Sequence, residues 1–305
     1  MSDDPGRGEL RAGERVLLVD RKNRRHLVRL AAGKSFHTHS GIIEHDDMIG
    51  GFEGLTVETR RTDAARGTGR YLVLRPTLAD VVLKMPRGAQ VIYPKDLGAI
   101  LIAADIFPGA RVLEAGVGSG ALSMTLLRAG ARLTSYELRS DFAATASRNV
   151  ADVVGEEAPF TIEERDIYEG IDGSGYDRVV LDLSEPWRVV RHAEEALVPG
   201  GIFLAYLPTI NQTAELRAVL ERSRFGMAES SELLRRTWHI EGQSVRPDHR
   251  MVAHTGFLTT ARLLGGGVEP VGGGSEPVAE QVEPVGGDVE PVGGEREPVG
   301  GVEPA

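Results

Sequence analysis

The chain has 305 residues, 41% of them hydrophobic, so it has room for about two globular domains. It has no cysteine, which excludes disulfides and thiolate metal sites, and no run of about 18 apolar residues that would span a membrane. The N-terminus lacks the pattern of a signal peptide. We therefore expect a cytoplasmic protein that is not associated with a membrane.

Charge is distributed unevenly along the chain. Of the net charge of -10, residues 265–305 contribute -8, so the first 264 residues carry about -2. Within them, basic residues cluster at Arg21–Arg25, Arg60–Arg61 and Arg235–Arg236. Such clusters are as typical of solvated loops as of contacts with phosphates. The overall charge therefore does not exclude a nucleic-acid partner.

The first part of the chain consists of short β-rich pieces separated by glycines, and it predicts a small β-barrel-like or sandwich domain over residues 1–75. The predicted strands are Arg15–Asp20, His26–Leu30, Gly41–Glu44, Leu55–Thr59 and Tyr71–Leu74. Three histidines, His37, His39 and His45, lie close together in the sequence. No carboxylate or fourth-ligand pattern accompanies them, so we predict no metal site.

Two helices are predicted at the start of a second domain, residues 76–264. They are Thr77–Leu83 and Asp96–Asp105, with Asp96 as the expected cap of the second helix. Between them, Pro94 requires an extended conformation of Tyr93. This tyrosine ring is therefore expected either to stack on a base or a cofactor, or to pack between domains.

A glycine-rich turn follows a short apolar strand that ends at Val112 and Leu113. The turn contains Glu114, Gly116, Gly118 and Gly120, and a predicted helix, Ala121–Leu127, follows it. The next strand, Arg132–Glu137, ends on an acid 21 residues after Gly116. This spacing matches a βαβ unit that binds a nucleotide, in which the acid accepts the ribose hydroxyls.

The identity of the nucleotide depends on Glu114. Dinucleotide-binding turns have the pattern G-x-G-x-x-G and face a pyrophosphate, whereas this turn has G-x-G-x-G with an acid two residues before the first glycine. A carboxylate repels a pyrophosphate but attracts a cation. S-adenosylmethionine (SAM) has a sulfonium and an amino group, so the sequence favours SAM over NAD.

The rest of the second domain alternates helices and strands. A helix is predicted from Asp141 to Val154, and another from Asn211 to about Ser223. The predicted strands are Phe160–Arg165, Tyr176–Asp182, Gly200–Tyr206, Phe225–Thr237 and Arg250–Leu263. This order predicts an α/β fold with a parallel, doubly wound sheet that binds ligands at the carboxyl ends of its strands. Gly116, Glu137, Asp166 and Asp182 all fall at such ends.

Residues 265–305 repeat units such as Val-Glu-Pro-Val-Gly-Gly. Glycine, proline and glutamate dominate, so burial would not offset the entropy lost on ordering. We predict a disordered tail.

Several motifs together resemble tRNA adenine-N1 methyltransferases that act on adenine 58 of the T-loop. The motifs are Tyr93–Asp96, Glu114–Gly120, Tyr136–Glu137 and Leu181–Trp187, with Phe36–Gly41 and His45–Gly50 resembling the N-terminal domain of that family. The resemblance implies a class I SAM-dependent methyltransferase domain with a Rossmann-like sheet, a tRNA substrate and a homotetramer. It covers about residues 10–264 and does not include the tail.

The resemblance also implies roles for individual residues. Ser119, Gly120, Ala121 and Leu122 would form a main-chain cradle for SAM, and Glu137 would bind the ribose. Phe142 would flank the adenine of the cofactor, and Asp166 would accept its amine. Asp182 lies in the motif D-x-x-x-P-W, at the junction of cofactor and target base, which makes it the expected catalytic residue together with Tyr93.

Three alternatives remain open at this point. The first is a class I methyltransferase with a protein or small-molecule substrate, and the second is an NAD-dependent oxidoreductase. The third is a tRNA-binding protein that keeps the fold without catalysis. Glu114 and the glycine spacing disfavour the second, and the intact acids disfavour the third.

Overall fold

The structure, a computed structural model, describes residues 8–60, 69–85, 87–88 and 90–265, which all fall in one compact unit, Met1–Pro270. The predicted disordered tail lies outside the described residues from position 266 onward. Within the described ranges, no helix has the length and apolar character needed to cross a membrane.

In the described residues, the N-terminal part contains six strands. They are β1 Arg15–Asp20, β2 Arg25–Arg29, β3 Ser35–Thr38, β4 Gly41–Glu44, β5 Thr56–Glu58 and β6 Arg70–Leu74. Four of them form an antiparallel sheet in the order β2-β1-β6-β5, and β3 pairs with β4 in a separate hairpin. Alternate residues such as Val16, Leu18, Tyr71 and Val73 are buried in a core of their own. Successive side chains of a strand point to opposite faces of the sheet, so alternate residues are buried where one face packs on a core.

Helices pack on both faces of the second sheet. They are α1 Leu78–Lys84, α2 Pro94–Ala103, α3 Ala121–Arg128, α4 Ser140–Val153, α5 Val190–Ala196 and α6 Ile210–Leu220. The predicted cap of α2 is wrong, because the helix begins at Pro94 and Tyr93 occupies the N-cap position. Proline suits the first helical position because the amide it lacks would have had no partner there. Asp96 is therefore inside the first turn, and its side chain is fully buried.

The second sheet has seven strands in the order β12-β15-β11-β10-β7-β8-β9. Their ranges are β7 Arg111–Ala115, β8 Arg132–Glu137, β9 Phe160–Glu164, β10 Tyr176–Leu181, β11 Leu197–Leu207, β12 Phe225–Glu232 and β15 Phe257–Leu263. Strands β7 to β11 are parallel, as predicted. The last two are antiparallel, so the sheet is mixed and not wholly parallel. No helix connects β12 to β15, and strands without such a crossover pair antiparallel.

An arm, residues 234–254, leaves the sheet between β12 and β15. It contains the hairpin of β13 Trp238–Glu241 and β14 Ser244–Pro247. Two longer strands were predicted here, and both predictions are wrong in extent because β12 ends at Glu232 and β15 begins at Phe257. The hairpin is exposed along almost its whole length. Neither of its faces therefore shows the alternation of buried and polar residues that reveals a strand.

Candidate active site

Four parallel strands end side by side at one edge of the second sheet. The amide of Asp182, just after β10, donates to the carbonyl of Ala115 at the end of β7, at 2.9 Å. The amide of Arg165, just after β9, donates to the carbonyl of Glu137 at the end of β8, at 3.1 Å. The sequence prediction that Gly116, Glu137, Asp166 and Asp182 follow strand ends is therefore matched by their positions.

The glycine-rich turn has a backbone that other residues would strain. Gly116, Gly118 and Gly120 have φ angles of 84°, 55° and 81°, in the left-handed region. A Cβ atom at Gly116 would overlap the carbonyl oxygen of Asp182, so the turn and the end of β10 lie in direct contact. A Cβ at Gly120 would lie 3.3 Å from Ala146 of α4. Glycine is needed here for conformation and for close approach.

Glu137 fixes this turn with its carboxylate. Its Oε2 accepts from the amide of Gly118 at 3.1 Å, and its Oε1 accepts from the amide of Arg139 at 3.0 Å. On the other side of the turn, the side chain of Asn149 donates to the carbonyl of Ser119 at 3.0 Å. Each carboxylate oxygen of Glu137 retains a lone pair. The side chain can therefore orient the turn and also accept hydroxyl groups.

Glu114 is a fully buried acid directly behind the turn. Its Oε2 accepts from the hydroxyls of Ser123 and Ser135, at 2.7 and 2.6 Å, while its Oε1 has no hydrogen-bond partner among the described residues. Burial raises the pKa of Glu114 to about 7 against the two serine hydrogen bonds, and the nearby carboxylates of Asp182 and Glu137 raise it further. A buried carboxyl with one free oxygen is well suited to a cationic ligand.

The two serines that hold Glu114 were not identified from the sequence. Ser135 lies directly opposite Glu114 in the register of β7 and β8. Ser123 is fully buried in the otherwise apolar first turn of α3. A hydroxyl inside an apolar helix, nine residues after an acid, was the available signal. It is weak because serine also hydrogen-bonds to its own helix backbone.

Asp182 faces the same region from the end of β10. The residue is half-buried, and burial of its carboxyl group raises its pKa to about 7. A second buried polar atom, the Oγ of Ser119, has no hydrogen-bond partner in the described part of the chain. Buried polar atoms normally have partners, so unpaired atoms at a site point to a missing ligand. Ala121 and Leu122 continue the turn into α3 and are buried.

Tyr93 approaches the site from the N-terminus of α2. Burial raises the pKa of a neighbouring phenol, Tyr206 on β11, to about 12, against a hydrogen bond with Thr255. Asp96, Asp182 and Tyr93 lie near enough to raise that pKa further. Tyr206, which the sequence analysis treated only as part of a strand, therefore lies within electrostatic range of both Tyr93 and Asp182. A tyrosine at the end of an apolar strand resembles a core residue, so its position alone did not mark it.

A buried ion pair follows Tyr93 in the first turn of α2. Lys95 donates from its Nζ to Asp96 at 2.7 Å, to the carbonyl of Leu233 at 2.7 Å and to the hydroxyl of Thr255 at 2.6 Å. The hydroxyl of Thr255 also contacts the other oxygen of Asp96 at 2.6 Å. Leu233 and Thr255 flank the arm, so this cluster joins the base of the arm to the helix that begins after Tyr93.

Phe142 and Asp166 border the same edge. The ring of Phe142 packs under the guanidinium of Arg139, 3.8 Å from its centroid, and the backbone at Gly88 lies close to the ring. The Oδ1 of Asp166 accepts from the amide of Tyr168 at 2.9 Å and begins a short 3₁₀ turn. Their roles toward a cofactor stay predictions.

The histidines of the N-terminal domain have partners of other kinds. The Nδ1 of His45 accepts from the amide of Ala31 at 3.0 Å, and His39 contacts Arg24. In the described ranges, no three histidine, aspartate or glutamate side chains come together as metal ligands.

The chain was compared with known families and proteins. A family model described as tRNA methyltransferase complex GCD14 subunit matches residues 69–246, more than half of the chain. The chain belongs to this family. A second model, described as TrmI-like N-terminal, matches residues 8–57.

Relatives of this GCD14 family member include a tRNA (adenine(58)-N(1))-methyltransferase TrmI of Thermus thermophilus, with 38% identity over 81% of this chain and 96% of the relative. TrmI of Methanocaldococcus jannaschii, named for adenines 57 and 58, is 33% identical over 81% of this chain and 94% of its own.

Two solved structures resemble it closely. TrmI of Aquifex aeolicus, a tRNA (m1A58) methyltransferase, has a TM-score of 0.73 and 28% identity, covering 85% of this chain and all of its own. A SAM-dependent O-methyltransferase of Thermotoga maritima has a TM-score of 0.79 and 36% identity, covering 85% of this chain and 96% of its own. The predicted family and the methyltransferase fold are confirmed.

Proposed function

We propose that this protein transfers a methyl group from SAM to N1 of adenine 58 in the T-loop of tRNA. The observation that carries the proposal is the position of Asp182, which follows β10 and whose backbone carbonyl lies against Gly116 of the glycine turn. Its carboxyl lies within electrostatic range of Glu114 and of Tyr206, so this one residue is near both the cofactor turn and the tyrosine of β11. The activity named for the TrmI relatives agrees with this arrangement.

The residues present suit SAM. Three carboxyl groups, those of Glu114, Glu137 and Asp182, converge on the turn, and one oxygen of Glu114 is unpaired among the described residues. When bound, SAM would supply an activated methyl group on a sulfonium. We assign the ribose to Glu137 and the cationic part to Glu114, with Phe142 and Asp166 beside the adenine. The main chain of residues 116–122 would cradle the cofactor.

The target nitrogen is on the Watson–Crick edge of adenine, so the base has to leave its stack before it can react. We assign stacking on the extruded base to Tyr93, whose backbone is restricted by Pro94. Asp182 would accept a hydrogen bond from the exocyclic amine and so orient N1. Much of the rate would come from this alignment, because N1 has a lone pair and needs no separate base.

Methylation at N1 leaves a positive charge on the base. The carboxylate of Asp182 would stabilise that charge as it develops, in a site where burial strengthens electrostatic interactions. Its pKa of about 7 means that a cation beside it is needed to keep the group fully ionised at neutral pH.

The test is the variant Asp182→Ala, with Asp182→Asn as its isosteric companion. Methyl transfer to unmodified tRNA should fall by about 10²–10³-fold in both, while SAM still binds. Labelled SAM and nucleoside mapping measure the product at position 58. Near-normal turnover would show that another group carries the role.

A second candidate is O-methyl transfer, suggested by the description of the Thermotoga maritima structure. Mass spectrometry of nucleosides from treated tRNA separates the two, since only N1 transfer yields 1-methyladenosine. Product on a hydroxyl, with no 1-methyladenosine, would favour the second candidate.

We also propose a homotetramer, a cytoplasmic location and a division into domains at about residues 75 and 264. The arm supports self-association, because it exposes Leu234, Trp238, Ile240 and Val245 by 56–73% in the single chain. Light scattering coupled to size-exclusion chromatography would give the mass of the assembly.

A further inference from the structure

A basic recess lies on the N-terminal β domain, and none of its residues belongs to the candidate active site. It is lined by Arg21, Lys22 and Arg24 of the turn between β1 and β2, by His39 of the turn between β3 and β4, and by Arg70 at the start of β6. Its volume is about 140 Å³. A cavity needs about 10–15 Å³ to hold one water, so this recess has room for a phosphate group with several waters.

The turn that carries most of these bases has a fixed shape. The Oδ1 of Asp20 accepts from the amides of Lys22 and Arg24, each at 2.8 Å, and its Oδ2 accepts from the Nε of Arg24 at 2.6 Å. Asn23 takes a φ of 58°, a left-handed conformation that asparagine tolerates better than most residues. The Nη2 of Arg24 then reaches His39 at 3.2 Å. Two separate turns are thereby held around one recess.

The charge in the recess is not neutralised. It holds four basic side chains and one acid, Asp20, for a net charge of +3. Asp20 is already engaged with Arg24. In the described part of the chain, the side chains of Arg21, Lys22 and Arg70 form no ion pair and no hydrogen bond. Among the described residues, these three side chains therefore do not stabilise the fold through ion pairs or hydrogen bonds.

A larger cleft of about 780 Å³ provides a contrast. It is also rich in arginine, but there Arg15 and Arg29 share Asp152, and Arg75 pairs with Glu14. Arginines that pair across a cleft hold elements together. The bases of the recess that form no pair in the described part of the chain are available to an outside anion.

The basic turn is also anchored to the second domain. Arg25, which follows the turn, pairs with Asp80 of α1 at 2.8 Å, and Asp80 completes the capping box of α1 with Thr77. The chain then runs from α1 to Tyr93. A ligand bound at the recess would thus be held on a surface that is connected to the start of the active-site domain.

We propose that the basic recess binds a phosphodiester group of the tRNA backbone and docks the tRNA on the β domain. The proposal rests on the proposed function for the identity of the RNA. A phosphate is the ligand that clustered arginine and lysine side chains recognise best, and such contacts position a nucleic acid without reading its sequence. The net charge of +3 in the recess contrasts with about -2 over the first 264 residues, and a local positive charge of this kind attracts a polyanion.

The test uses the full chain with Arg21→Gln, Lys22→Gln and Arg70→Gln combined. The matched control combines Arg132→Gln, Arg191→Gln and Arg222→Gln, which remove the same charge from exposed positions outside the recess. Binding of an unmodified tRNA transcript is measured over a series of salt concentrations, without SAM. Each lost phosphate contact lowers the slope of log affinity against log salt by about 0.7–0.9.

We expect the recess variant to lose about tenfold or more in tRNA affinity and about 0.7–0.9 in that slope, as one lost phosphate contact predicts, while the affinity of the control changes by less than about twofold. Both should bind SAM normally, which reports on folding. Equal losses in the two variants, or an unchanged slope, would overturn the proposal. A third result would also overturn it: inorganic phosphate stabilises the wild-type protein but not the recess variant, while the recess variant keeps its full affinity for tRNA.

The two proposals fail separately in this design. Normal tRNA binding with no methylation at adenine 58 would contradict the proposed function and leave the recess in place. If the recess variant methylates adenine 58 and binds tRNA as well as the control variant, only the proposal for the recess is contradicted.

Discussion

Gly116 packs directly against the backbone of Asp182, so that any side chain at position 116 would overlap the Asp182 carbonyl oxygen. The turn that would hold the cofactor and the residue that would hold the target base therefore share one contact. A displacement of the turn would therefore also displace Asp182, and the reverse.

The variant Gly116→Ala tests this contact. The left-handed backbone costs a non-glycine residue about 1–3 kcal/mol, and the overlap adds to that cost. A displacement of about 1 Å at Asp182 would lower turnover by about 10²-fold. Gly98→Ala is the matched control, since a Cβ at Gly98 meets nothing within 4 Å and alanine favours the helix. Denaturation and methyl-transfer assays should show that Gly116→Ala loses stability and turnover and that Gly98→Ala loses neither. Equal behaviour of the two variants would contradict the argument.

The variant Glu114→Gln tests the cost of the buried acid. The folded pKa of about 7 lies above the ordinary value of 4.5, so the folded protein holds a proton between these values that the unfolded chain has lost. Stability from this group is full below pH 4.5 and declines as the pH rises toward 7. One pKa unit corresponds to about 1.4 kcal/mol, so ionisation costs roughly 3 kcal/mol.

The amide of that variant does not titrate. Its unpaired N–H will lower stability by an amount that does not vary with pH. The difference in unfolding free energy should nevertheless shift in favour of the variant by about 3 kcal/mol between about pH 4.5 and pH 7.5. Denaturant titrations across this range measure the shift, and parallel pH profiles for the two proteins would rule it out.

Cofactor binding should release protons. Glu114 and Asp182 both have a pKa of about 7, and a bound cation favours their ionised forms. The affinity for SAM should therefore rise between about pH 6 and pH 8, by up to about tenfold per pH unit for each proton released, and then level off. Calorimetry in buffers of different ionisation enthalpy counts the protons. Asp182→Asn should release fewer, and an affinity independent of pH would be incompatible with this assignment.

Lys95→Met should destabilise the fold strongly. Asp96 would then be a fully buried carboxylate without its cation, which costs about 3–5 kcal/mol. Combining Lys95→Met with Asp96→Leu should recover part of that loss, because no charge is left unpaired. Lys84→Met, at an exposed position in α1, is the control and should change stability by less than about 0.5 kcal/mol. A single variant as stable as the control would contradict the pairing.

The parallel half of the fold was predictable because strands alternate with helices along the chain, and β8, β9 and β10 each end on an acid or next to one. That pattern placed Glu137, Asp166 and Asp182 at strand ends without any structure. The antiparallel direction of β12 and β15 was missed, although no helix is predicted between them and consecutive strands without a crossover helix pair antiparallel.

The misplaced cap of α2 has a different cause. Asp96 has the residue type of an N-cap, but Pro94 had already begun the helix, and the acid serves a buried pair with Lys95. The other partners of Lys95, the carbonyl of Leu233 and the hydroxyl of Thr255, are more than 130 residues away in sequence. Contacts of that kind leave no local pattern to read.

The position of β15 has a consequence for biosynthesis. This strand is made last among the seven but lies between β11 and β12, inside the sheet. A growing polypeptide therefore exposes the edge of β11 until Leu263 has been synthesised, although the β domain near the N-terminus is already complete. Unpaired strand edges invite association with other chains. In the interval between translation of β11 and insertion of β15, newly made protein is therefore open to association with other chains along this edge.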